Sequence, residues 1–158
     1  MKYLKKLRIV YGLLVDDMKE PELRLPKHIY EKAIKSGNEY GWKKADILEV
    51  MEAARQVPMA IIGGQVQYVW PDATCELYWL SYDSDERKDK EDWVSFCNRT
   101  ALECSDKFKK IISTDIEKEA ITFEYIKSKF DKGIQLDDHQ IFILYFNDEG
   151  TDLILKTT

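Results

Sequence analysis

The stretch Gly63-Gly64-Gln65-Val66-Gln67-Tyr68-Val69-Trp70-Pro71-Asp72-Ala73-Thr74-Cys75-Glu76-Leu77-Tyr78-Trp79-Leu80 decides the fold. Two runs rich in Val, Tyr, Trp and Leu alternate with polar residues on either side of a Pro-Asp turn, which is the pattern of a β-hairpin. A four-residue turn, Pro71 to Thr74, predicts Trp70 opposite Cys75, Tyr68 opposite Leu77 and Val66 opposite Trp79. Those six residues form one largely apolar face. The other face then carries Gln65, Gln67, Glu76 and Tyr78, with Val69 and Leu80. Side chains alternate with a period of two, so a one-residue slip would scatter both sets. Gly63-Gly64 reads as a bulge or a close backbone contact beside the strand. A phosphate cradle would need a G-x-x-x-x-G-K-[ST] or G-x-G-x-x-G run, and the chain has neither.

Outward from the hairpin, helical spacing takes over. Ile47, Val50, Met51 and Ala54 recur at i, i+3, i+4 and i+7, which predicts a helix over about Lys44 to Gln56, stopped by Pro58. Upstream, Pro26 followed by Ile29, Tyr30 and Ala33 predicts a helix from Lys27 to about Glu39. Leu7 to Leu14 reads as a first strand; the apolar run Ile9 to Val15 is too short, and lacks a small-residue cleavage site, for a signal peptide.

Downstream, Trp93, Phe96, Cys97, Thr100, Ala101, Cys104, Phe108, Ile111 and Ile112 form one stripe on a long helix, about Glu91 to Ile112. Thr114-Asp115-Ile116-Glu117 fits a capping box that opens a helix running to about Asp131 and ending at Gly133. Ile141 to Phe146 is apolar on both faces and reads as a central strand. Asn147 to Gly150 then reads as a turn into a returning strand, Leu153 to Leu155. The expected architecture is a single α+β domain over residues 1–158, with a mainly antiparallel sheet of about five strands packed against four helices.

Charge narrows the function. The chain of 158 residues carries a net charge of −5. That argues against a protein that coats nucleic acid and against binding to anionic membrane surfaces. No stretch approaches the roughly 20 apolar residues that span a bilayer. Residues 61–92 hold eight acids against three bases, and residues 137–158 hold five against one. The acidity is therefore concentrated in the hairpin with its following connector and in the last segment, a distribution suited to steering a basic partner.

Enzyme signatures are missing. Cys75, Cys97 and Cys104 are odd in number and lack C-x-x-C spacing, which points to a reducing cytoplasm rather than a disulfide framework. His28 and His139 lie at no ligand spacing, so no metal, cofactor or catalytic residue is assigned. Two candidate sites stand. Asp83, Asp85, Glu86 and Asp89, with Trp70 and Tyr78 as aromatic anchors, suit a protein interface. Alternatively, Gln65, Gln67, Glu76 and Tyr78 on one sheet face suit a small-ligand or acid–base pocket around Glu76.

The segments Gly63 to Tyr68 and Pro71 to Trp79 resemble a small family of bacterial proteins of this size, some associated with toxin–immunity loci that include contact-dependent inhibition. The resemblance implies a cytoplasmic inhibitor that binds a cognate toxin domain, often a basic nuclease, and blocks its active site. It implies no particular site residues, because such families share none.

Overall fold

The alternating runs around Pro71 do pair. In the computed structural model, which describes residues 20–150, 152 and 153, β3 (Ala60–Trp70) and β4 (Ala73–Ser81) form an antiparallel hairpin. The turn has two residues, Pro71 and Asp72, rather than four. Trp70 therefore faces Ala73, Tyr68 faces Cys75 and Val66 faces Leu77. The register differs from the expected one by two residues, and a shift of two leaves every side chain on its face. Val66, Tyr68, Trp70, Cys75 and Leu77 are accordingly all buried in the main core. Trp79 is not among them. After Val66↔Leu77 the next pair is Gln65↔Ser81, so Tyr78, Trp79 and Leu80 bulge out of the ladder.

β3 sits between β4 and β5 (Gln140–Asn147), and the full strand order is β1-β2-β5-β3-β4, antiparallel throughout. β5 is central, as its two-faced apolarity predicts: Phe142, Leu144 and Phe146 face the main core, while Ile141 and Ile143 are buried beside Gln65 and Gln67 on the other face.

β1 (Ile34–Ser36) and β2 (Glu39–Trp42) correct the expected helix over Lys27 to Glu39. Only Lys27–Tyr30 is helical; this short turn is α1. Gly37 takes φ +60° and Asn38 follows it, a two-residue hairpin turn with glycine at its first central position. That turn outcompetes the helical spacing of Ile29, Tyr30 and Ala33. The predicted strand Leu7 to Leu14 lies outside the described residues.

The helices cover the core face. α2 (Ile47–Gln56) buries Ile47, Val50, Met51 and Ala54 as expected. α3 (Trp93–Ile112) is capped by Asp92, whose side chain accepts the Ser95 N–H at 2.9 Å, and it buries Trp93 through Phe108 along the predicted stripe. Beyond it, the expected single helix is two: α4 (Ile116–Ala120) and α5 (Glu124–Asp131). Asp115, not Thr114, caps α4 by accepting the Lys118 N–H. The break falls at Phe123, whose backbone turns extended as its ring stacks on Trp79.

The expected return strand also needs correction. Glu149, Gly150, Asp152 and Leu153 are helical, with the Asp152 N–H donating to the Asp148 carbonyl. Asp152 is held there by Arg87 at 2.6 Å. Ile154 and Leu155 lie outside the described residues.

Candidate protein-binding edge

β4 is an edge strand, and its line continues past Ser81. The Tyr82 N–H donates to the Gly64 carbonyl and the Ser84 N–H to the Ile62 carbonyl, both at 3.1 Å. The chain after the bulge thus keeps pairing with β3. Tyr82 turns inward and is fully buried; its hydroxyl donates to the Ile143 carbonyl at 2.5 Å. The Gly63-Gly64 pair makes this possible. A Cβ on Gly64 would meet the Tyr82 ring at 2.3 Å, and one on Gly63 would meet Asp83 Oδ1 at 2.1 Å. The pair is a bulge and a close approach, the structural role its sequence suggested.

From Asp83 the chain runs back along α3. Arg99 on that helix organises it. Its guanidinium grips Glu91 with two nitrogens, at 2.8 and 2.9 Å, and donates to Glu103 at 2.9 Å and to the Glu86 carbonyl at 2.9 Å. Arg99 holds the Glu91 carboxyl down to about 2, well below the usual carboxylate range. Glu103 accepts the Asp85 N–H at 2.9 Å. Arg87 lies over the Trp93 and Phe96 rings and donates to the Glu91 carbonyl. The connector is a fixed rail rather than a loose acidic loop.

The predicted acids divide on this rail. Asp85, Glu86 and Asp89 are exposed. Asp83 is half-buried against Gly63 and Gly64, and burial pushes its carboxyl up. It is poorly placed to meet a partner. Of the two predicted anchors, Tyr78 is 70% exposed. Trp70 is 7% exposed, stacked on His139 at 4.6 Å and packed edge-on against Tyr125 at 5.4 Å at the far, turn end of the hairpin. It is a core residue, since the turn folds it under α5. Tyr78 and the exposed acids share one edge; Trp70 does not join them.

The alternative polar face is not open. Gln67 is fully buried; its amide donates to Glu39 at 2.7 Å and accepts from Ser36 at 3.1 Å. Tyr145 donates to the other Glu39 oxygen at 3.0 Å. Gln65 is buried as well, and Tyr78 leaves the face through the bulge. Gln67 is thus engaged in satisfying a buried carboxylate, as a structural amide does. A shallow depression of about 290 Å³ does exist, but Lys44, Asp115, Glu117, Asp137 and Gln140 line it, away from Glu76.

The three cysteines are buried, and burial pushes the Cys97 and Cys104 thiols up to about 12, so they are packing groups rather than nucleophiles. Among the described residues, no group of three or more His, Cys, Asp and Glu could hold a metal, and no helix is long and apolar enough to cross a membrane.

Sequence reasoning missed three members of this edge. Trp79, expected inward, is 41% exposed; it stacks on Phe123 and donates to Glu119 at 2.9 Å. Arg99 carried one signal, the i,i+4 spacing to Glu103. Glu119 carried none. No family model, curated protein or solved structure matches the chain, so function is argued from the edge itself.

Proposed function

We propose that this chain is an acidic, cytoplasmic binding protein that neutralises a basic, nuclease-like toxin domain by occluding its active site. One observation carries the reading: an exposed aromatic, Tyr78, stands on the edge strand, and three exposed acids, Asp85, Glu86 and Asp89, stand on the connector that follows it, whose main chain is held by Arg99 and Arg87. The carboxylates stand where phosphates of a nucleic-acid substrate would lie in the partner's cleft. Their charge accelerates encounter, and the tyrosine supplies the desolvated contact that holds the complex. A pre-ordered rail lowers the entropy lost on binding.

The proposal requires a toxin reading frame beside the gene for this chain, and co-expression with that toxin domain tests it; the absence of such a frame would overturn it. Survival of the cells and co-purification of a complex are expected. Cells that die, with no complex recovered, would sink it. In a recovered complex, the triple variant Asp85→Asn, Glu86→Gln, Asp89→Asn should associate at least tenfold more slowly at low salt, an effect on the order of that seen for steered pairs. An unchanged association rate would remove the acids from the interface.

A further inference from the structure

We infer that the bulge Tyr78-Trp79-Leu80 is an arginine-recognition site, and that the partner places an arginine side chain on Tyr78 beside Glu119. The inference rests on the reading of this edge as a protein-docking surface. The three bulged residues are freed from the ladder together, yet they are not loose. Phe123 stacks on Trp79 with centroids 5.7 Å apart and planes 19° apart. Trp79 in turn holds Tyr78 edge-on, at 5.2 Å and 90°. The indole N–H anchors the stack to Glu119 Oε2 at 2.9 Å. The result is a three-ring ladder that rises from half-buried Phe123 to Tyr78 at 70% exposure.

A solvent-facing ring normally gains little from being braced. Here the bracing fixes Tyr78 on Trp79, whose indole is bonded to the Glu119 carboxylate, and a carboxylate has about four acceptor positions, of which the indole uses one. Aromatic plus carboxylate is the pair that a guanidinium satisfies twice, by stacking and by paired hydrogen bonds. Lysine offers a point charge and meets only part of it. The chain's acidity on the same edge, at Asp85, Glu86 and Asp89, sets the partner's charge sign, and the ladder sets which cation it reads.

The test uses the full chain, labelled with nitrogen-15, titrated with tetra-arginine and separately with tetra-lysine. Of the four tryptophans only Trp79 is exposed, and its indole N–H bonds to Glu119, so that resonance reports directly on the site. Tetra-arginine should move the Trp79 indole signal and bind more tightly than tetra-lysine. Tyr78→Ala should weaken tetra-arginine by about 2- to 5-fold, the span of an exposed cation–π contact, and Tyr78→Phe should restore it. An unmoved Trp79 indole would overturn the inference, as would equal titration of Tyr78→Ala and wild type, because arginine would then be read by the acids alone. Failure of the toxin proposal looks different: no toxin complex forms while tetra-arginine still moves Trp79.

Discussion

Two halves of one strand behave oppositely. From Ala73 to Leu77, β4 pairs residue for residue with β3 and sends Cys75 and Leu77 into the core. From Tyr78 onward three residues leave the ladder, and Tyr82, beyond them, is the next side chain buried completely. Three is odd. An odd insertion reverses which face each later residue meets, so Tyr82 turns in where strict alternation would have put it out, while Trp79, within the insertion, leaves the ladder. The first half stabilises the domain by burial. The second half spends large aromatic side chains on the surface, and the glycine pair, Arg99 and the Phe123 stack keep that arrangement fixed.

The sharpest way to break this contrast is Gly64→Ala. Its Cβ would lie 1.8 Å from the Ile143 carbonyl oxygen and 2.3 Å from the Tyr82 ring, between two central strands that cannot separate cheaply. A loss of about 3 kcal/mol or more in chemical denaturation is expected, at or above the usual cost of overpacking. A loss below about 1 kcal/mol would show that the second half does not depend on this close approach.

A milder perturbation addresses the rail. Arg99 holds the Glu91 carboxyl near 2 in the folded chain, below its unfolded value, so the pair contributes stability above the ordinary glutamate range and loses it as pH falls toward about 2. Glu91→Gln should therefore lower the melting temperature at pH 7, and the gap to wild type should close between about pH 5 and pH 2. A gap independent of pH would mean that the substitution acts through packing and not through the Arg99 ion pair.

The smallest expected effect sharpens the comparison from the other side. Tyr78→Ala should change unfolding free energy by less than about 0.5 kcal/mol, as exposed substitutions do, whereas Leu77→Ala, one residue earlier, should cost about 2–5 kcal/mol. Similar losses at both positions would show that the bulge is structural and not a presented surface.

The face assignment of the hairpin was legible from sequence because its error was even: a two-residue shift of register is invisible to a pattern of period two. The bulge was not legible, since alternation carries no mark of where pairing is suspended. The strands Ile34–Ser36 and Glu39–Trp42 were missed for a local reason. Ile29, Tyr30 and Ala33 satisfy helical spacing, and the overriding cue was two residues long, Gly37-Asn38. At the site, exposed Asp85, Glu86, Asp89 and Tyr78 were readable from composition and position. Trp70 was misplaced because a tryptophan next to a turn gives no sign of which helix will cover it. Glu119 lies 40 residues from the indole it accepts, beyond the reach of any local pattern.

The rail is built from main-chain groups and from the carboxylates of Glu91 and Glu103. Arg99 and Arg87 reach the carbonyls of Asp85, Glu86 and Glu91, and the side chains of Asp85, Glu86 and Asp89 take no part in holding it. The atoms that set the connector's shape and the outward carboxylates proposed to meet a partner are therefore distinct. Replacing Asp85, Glu86 or Asp89 leaves untouched the contacts of Gly64, Arg99 and Glu91 that set the course of the chain here.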